Sequence, residues 1–124
     1  MHFIVTTLDD ISCITFQGEL NALDMIFMIQ SPEYQQAIKL NRKLLIDYSD
    51  IDGSNLTEED IIGITMLGKK TLSTLGPTHI AVVVEDTQNT EIEKISSMIF
   101  ADSDSRVDVT NDKREALKIL QLGL

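Results

Sequence analysis

Acidic and hydroxyl side chains cluster in the segment from Asp47 to Thr57, directly after the apolar run Leu44–Ile46. Carboxylate oxygens in such a loop suit a hard divalent cation such as Mg²⁺, and a hydroxyl at a helix start suits phosphorylation. Asp and Ser are also common in turns and caps because their side chains bond nearby backbone amides, and we favour this interpretation. We predict no metal site here, and we keep Asp47, Ser49, Ser54 and Thr57 as a candidate regulatory loop.

Large apolar side chains are more numerous on the predicted helices than one sheet face can cover. The adaptable thioether of methionine suits a surface for a protein partner or a cavity for an apolar ligand. Packing against the sheet, neighbouring helices or a second copy of the chain is the alternative explanation. The residues predicted to contact a ligand or a partner are Met25, Phe27 and Met28 on the predicted helix Ala22–Gln30, Ile62 and Met66 on the predicted helix that starts at Thr57, and Met98 on the predicted helix Thr90–Ala101.

The residues that most often carry catalysis form no recognisable pattern. His2 and His79 have no neighbour at a spacing typical of a metal site, and no Ser, Cys or Asp is spaced as in a nucleophilic triad. The one cysteine, Cys13, lies in the apolar sequence ISCITF and is predicted to be a buried thiol. No glycine-rich loop could cradle a phosphate group. We therefore expect a non-enzymatic protein that needs no cofactor.

Charge and length narrow the class of protein further. The chain has 124 residues, with 20 acidic and 10 basic side chains and a formal net charge of −10. This negative charge opposes binding to nucleic acid and to anionic membranes at long range. No apolar run approaches the roughly 18 residues of a transmembrane helix, and the N-terminus lacks a signal-peptide pattern. We expect one cytoplasmic domain over residues 1–124, for which peripheral membrane contact stays open.

Turn and cap residues divide the chain into strands and helices. Asp9-Asp10 separates two strands rich in β-branched residues and predicts an opening hairpin. Ser31 ends one helix and starts another, and Thr57 with Asp60 resembles a capping box. The predicted strands are His2–Leu8, Ile11–Gln17, Leu44–Tyr48, His79–Val84 and Arg106–Val109, and the predicted helices are Ala22–Gln30, a second from Ser31, a third from Thr57 through about Leu75, Thr90–Ala101, and a last one after Asp112. This order predicts an α/β fold with a mixed, mostly parallel sheet that opens with a hairpin and continues as βα units with helical cover.

The opening hairpin and three later stretches resemble the SpoIIAA-like proteins, a bacterial group close to the STAS domains and to the CRAL-TRIO lipid-binding fold. The stretches are LLIDYSDI before the capped helix, HIAVVVED after it, and RVDVTNDKREALKIL near the end of the chain. The resemblance implies a STAS/SpoIIAA-like fold over nearly the whole chain. The similarity to CRAL-TRIO proteins implies a lipid-like or other apolar ligand.

One part of the STAS pattern is missing. STAS proteins that antagonise anti-sigma factors have an Asp-Ser-Ser-Gly turn whose serine is phosphorylated at a helix start. Asp47 and Ser49 match the strand before that turn, but the turn itself falls near residues 55–57, which read Asn-Leu-Thr. The phosphoserine of those proteins therefore has no counterpart here.

These observations lead to two hypotheses about function. The leading hypothesis is a non-enzymatic binding module for a protein partner or for an apolar small molecule beneath its helices. The alternative is a phosphorylation-gated regulator of the anti-sigma-antagonist type, controlled within the candidate regulatory loop. A homodimer is compatible with both hypotheses.

Overall fold

The computed structural model describes residues 2–122, apart from the side chains at 53, 54 and 86–91. The predicted α/β class and order of elements are confirmed, with one additional strand, β4. The strands are β1 (His2–Leu8), β2 (Ile11–Leu20), β3 (Lys43–Asp47), β4 (Ile51–Ser54), β5 (His79–Val83) and β6 (Arg106–Thr110), and the helices are α1 (Ala22–Gln30), α2 (Pro32–Asn41), α3 (Glu58–Leu75), α4 (Asp86–Ile99) and α5 (Lys113–Leu122).

The strands of the described part form one mixed sheet in the order β1-β2-β3-β5-β6, with β4 beside β2. β1 and β2 are antiparallel and meet at the turn Asp9-Asp10, where Asp9 has a left-handed φ of 55°. β2, β3, β5 and β6 pair in parallel. The predicted opening hairpin and the mostly parallel sheet are therefore confirmed.

β2 pairs with two parallel strands in turn along its length. Residues Ser12–Thr15 pair with β3, and Gly18–Leu20 pair with β4 after a register shift beside Gly18, whose φ is 86°. β4 has only four residues, IDGS, and Asp and Gly are depleted in strands. The sequence pattern therefore predicts a loop at this position, and this prediction was wrong because pairing with the extended end of β2 makes the segment a strand.

Hydrogen bonds at the helix ends confirm two predicted caps. The Ser31 hydroxyl donates to the backbone oxygen of Met28 at 2.7 Å and accepts from the backbone N–H of Tyr34 at 3.3 Å. Thr57 Oγ1 accepts from the N–H of Asp60 at 3.1 Å, while Asp60 Oδ2 accepts from the N–H of Thr57 at 3.0 Å. These contacts fix where α1 ends, where α2 restarts and where α3 begins.

Helices cover both faces of the sheet. On the first face, α1 to α4 pack over a core that includes Leu44 and Ile46 of β3. On the second face, α5 packs over Leu45 of β3 and over Cys13, which is buried as predicted. Successive side chains of a strand point to opposite faces, so β3 contributes to both layers. Because helices cover both faces, the interior strands read as continuous apolar runs.

Candidate functional site

A cavity of about 210 Å³ lies between the first face of the sheet and the helices that cover it. Most of the side chains around it are apolar, and few of them carry an oxygen. The described residues that line the cavity are Leu20, Met25, Met28, Ile29, Tyr34, Ile46, Tyr48, Leu56, Ile61, Ile64, Thr65, Gly68, Leu72, Ile80, Val82, Ile92, Ser96, Phe100 and Val107.

The sheet provides the floor of the cavity because alternate residues of its strands project to the same face. Ile46 of β3, two residues of β5 and Val107 of β6 line this floor. The parallel register pairs Ile46 with Val82, and it pairs Ile80 with Val107. The floor is therefore a patch of branched side chains from three neighbouring strands.

Helices α1, α3 and α4 provide the roof. On each of them most lining residues recur at intervals of three or four, which places them on one helix face. The roof residues are Met25, Met28 and Ile29 of α1, Ile61, Ile64, Thr65, Gly68 and Leu72 of α3, and Ile92 and Ser96 of α4 together with its C-cap residue Phe100.

Tyrosine and serine hydroxyls interrupt the apolar lining. Tyr34 is only 3% exposed and Ser96 only 6% exposed, whereas Tyr48 is partly buried and stacks on Phe16 with ring centroids 4.9 Å apart. Within the described part of the chain, no hydrogen bond joins the hydroxyl of Tyr34, Tyr48 or Ser96 to another residue. The hydroxyl of Thr65, in contrast, donates to the backbone oxygen of Ile61 at 2.7 Å. As far as the described side chains extend, three hydroxyl groups on the lining thus have no hydrogen-bond partner in the protein.

Burial keeps both phenol groups protonated. It raises the pKa of Tyr34 and that of Tyr48 far above their ordinary value. For Tyr48, electrostatic repulsion from the phenolate that Tyr34 would form is a second, smaller cause of the raised pKa. Near neutral pH each phenol is consequently a neutral O–H donor.

The lining also contains a position without a side chain. Gly68 lies on the roof in α3, and a Cβ added there would meet no heavy atom within 4 Å. Gly63 of the same helix has equally open surroundings but is exposed and does not line the cavity. The two glycines therefore form a matched pair for substitutions that fill the cavity or leave it unchanged.

The six residues predicted to contact a ligand or partner lie in three different settings. Met25 and Met28 are 3% and 2% exposed and line the cavity. Ile62 is partly buried but is not part of the lining. The other three are large side chains on the outer surface of the helix layer, where contact with a partner stays a prediction: Phe27 at 62% exposure, Met66 at 58% and Met98 at 66%.

The candidate regulatory loop contains hydrogen bonds that shape the backbone. Asp47 is buried, and its Oδ1 accepts from the Ser49 N–H at 2.9 Å and from the Ser49 hydroxyl at 2.6 Å. Lys113 Nζ lies 3.8 Å from Oδ2 of Asp47. Thr57 caps α3, and the side chain of Ser54 lies outside the described residues. Each described member of the loop has a structural contact, and its regulatory role stays a prediction.

Metal-binding side chains do not cluster in the part of the chain that the structure describes. No three His, Cys, Asp or Glu residues there group closely enough to hold an ion. None of the described helices combines the length and the hydropathy that a membrane crossing requires.

The sequence pattern did not single out the polar residues of the cavity. Tyr34 and Ser96 occupy inward-facing helix positions, and Tyr48 directly follows the apolar strand β3. An inward tyrosine in apolar surroundings is a signal of a polar contact, because a buried hydroxyl normally finds a hydrogen-bond partner. Only the structure reveals that these hydroxyls have no hydrogen-bond partner among the described residues.

The comparisons with known proteins define the fold. No family model matches the sequence, and no curated protein matches it. Among solved structures, the chain is similar to an uncharacterised protein of the DUF3478 family with a SpoIIAA-like fold from Shewanella loihica PV-4. The TM-score is 0.56 and the sequence identity is 20%, over 96% of this chain and 92% of that chain.

A second solved structure leads to the same conclusion. The chain is similar to the protein TM1081, whose structure was determined by NMR, with a TM-score of 0.51 and 21% identity over 98% of this chain and 90% of that chain. The protein therefore has a SpoIIAA-like α/β fold, and the resemblance inferred from the sequence is confirmed at the level of the fold.

Proposed function

We propose that this protein is a non-enzymatic binding module that holds a small apolar molecule in the cavity beneath α1, α3 and α4. The observation that carries the proposal is the cavity itself, with a volume of about 210 Å³ and a mostly apolar lining. Protein interiors are close-packed and contain few voids larger than a water molecule. An apolar void of roughly 150 Å³ is known to bind benzene. The cavity thus offers room for a ligand somewhat larger than one aromatic ring.

The energetics favour an apolar occupant. An unfilled cavity costs about 24 cal/mol per Å³ in lost contacts, so a ligand that fills half of this one stabilises the fold by about 2–3 kcal/mol. Met25 and Met28 supply flexible thioethers on the roof, which adapt to ligands of different shape.

Native mass spectrometry of the gently isolated protein, followed by solvent extraction, tests the proposal. We expect a mass above that of the chain alone and recovery of an apolar compound in the extract. The Gly68→Leu variant should lose this adduct because its side chain occupies the open space at the roof. The Gly63→Leu variant is the matched control, and it should keep the adduct.

Two outcomes would contradict the proposal. One is a clean apo mass for the wild-type protein from its native host. The other is an adduct that Gly68→Leu and Gly63→Leu retain equally, since the compound would then be bound outside the cavity.

A further inference from the structure

We propose that the ligand of the cavity is a neutral molecule with one carbonyl-type hydrogen-bond acceptor, which the phenol groups of Tyr34 and Tyr48 bind. This inference rests on the proposed function and deepens it by naming the chemical class of the ligand. Its main observation is that the two tyrosines line one cavity while neither hydroxyl has a hydrogen-bond partner among residues 2–122 with described side chains.

Unpaired hydroxyls in an apolar cavity call for an explanation. A buried polar group without a partner loses its hydration and gains nothing in return. Tyr34 is 3% exposed, so bulk water gives its hydroxyl little compensation. Tyr48 is fixed by stacking on Phe16 at an interplanar angle of 13°, which holds its ring against the cavity. A ligand acceptor would satisfy both phenols at once, because a carbonyl oxygen has two lone pairs.

Ser96 adds a third hydroxyl on the roof. Serine and threonine inside helices commonly donate to the backbone oxygen four residues earlier. Thr65 and Thr71 of α3 do so, at 2.7 and 3.0 Å. The buried hydroxyl of Ser96 makes no such bond within the described part. It is therefore available as a further donor to the ligand.

The charges around the cavity argue for a neutral ligand. The described lining contains no Lys, Arg or His, and the whole chain has a formal net charge of −10. A carboxylate or phosphate in this position would be buried without a counter-charge, which is strongly unfavourable. The phenols stay protonated in their buried setting, so they donate and do not attract a cation. Ketones, esters and amides fit these conditions better than carboxylates or phosphates.

Three naphthalene probes of similar size test the inference. They are 2-acetylnaphthalene with a carbonyl oxygen, 2-isopropenylnaphthalene with a methylene group in its place, and the carboxylate 2-naphthoate. The chain contains no tryptophan, so naphthalene fluorescence can report binding directly. At pH 7 we expect the ketone to bind about tenfold more tightly than the hydrocarbon, and the carboxylate to bind more weakly than both.

Tyr34→Phe and Tyr48→Phe assign the effect to the two phenols. Each substitution removes a hydroxyl and keeps the ring, so the affinity for 2-isopropenylnaphthalene should not fall. In the double variant, the ratio between the affinities for ketone and hydrocarbon should decrease from about ten toward one, with Ser96 as the donor that is left. A ratio that stays at its wild-type value would overturn the assignment to these tyrosines.

The probes separate failure of this inference from failure of the proposed function. If the ketone and hydrocarbon bind the wild-type protein equally well, or if the carboxylate binds most tightly, the inference is wrong while ligand binding in the cavity stands. If none of the three probes binds, both are wrong. These outcomes are read from the wild-type protein, so they do not depend on how well a variant folds.

Discussion

At the scale of single residues, the proposed binding role of the cavity carries a cost in stability. Tyr34 buries its hydroxyl in apolar surroundings, and burial raises its pKa. A phenylalanine would fill the same volume without an unsatisfied group. Packing alone gives no reason for a tyrosine at this position, whereas the proposed contact with a ligand does.

Alkaline pH should lower the free energy of unfolding through the two buried phenols. The ordinary pKa of tyrosine is about 10, and the folded chain holds the pKa of Tyr34 and that of Tyr48 above it. As pH rises above about 10, the unfolded chain loses these protons first, so the stabilisation that is complete below this pH is progressively lost. Urea unfolding at about pH 8 and about pH 11 should show a smaller decrease in the free energy of unfolding for the double Phe variant than for the wild type. Equal decreases would contradict the burial of the phenols.

At the scale of elements, the start of α3 depends on one threonine. Thr57→Ala removes the hydroxyl that accepts from the N–H of Asp60, and we expect the free energy of unfolding to fall by about 1 kcal/mol. Thr57→Ser keeps an oxygen in this place and should change little. Urea unfolding of the three proteins measures the difference. If the alanine and serine variants are equally stable, the cap contributes nothing.

Local signals explain which elements the sequence could predict. Asp9-Asp10, Ser31 and the pair of Thr57 with Asp60 act through neighbours within a few residues, and each of these boundaries is seen in the structure. β4 depends instead on pairing with Gly18–Leu20, which are distant in sequence, so its own composition could not reveal it.

The candidate site was predictable only in part, for a related reason. The excess of apolar side chains on the helices predicts Met25 and Met28 as ligand or partner contacts, and both line the cavity. The volume left empty beneath them depends on how helices and sheet pack together, which spacing does not encode. Phe27 shows the limit of composition, because it is as apolar as its neighbours yet 62% exposed.

At the scale of the whole molecule, the negative charge opposes compactness. Of the ion pairs in the described part, Lys43 with Asp10 and Lys69 with Asp102 lie at the surface, at 3.1 and 2.5 Å. Exposed pairs of this kind contribute little to stability. Repulsion among the remaining acidic side chains should therefore outweigh them at a net charge of −10.

Salt should accordingly stabilise the protein. Raising NaCl from about 20 to about 500 mM shortens the screening length from roughly 20 Å to roughly 4 Å, which weakens repulsion between distant charges. We expect the midpoint of urea unfolding to rise with salt. A midpoint that falls would mean that attractive pairs such as Lys69 with Asp102 dominate.

In the same range of salt, we expect no binding to duplex DNA.

The single hydroxyl of Ser31, which bonds both to the end of α1 and to the start of α2, also bears on the timing of ligand exchange. α1 has nine residues and supplies Met25 and Met28 to the roof. A helix of this length is marginal by itself and depends on its contacts with the rest of the fold. Detaching it at the Ser31 break would open the cavity while leaving the sheet intact. The residence time of a ligand would then reflect the opening of one short helix instead of the much slower unfolding of the core.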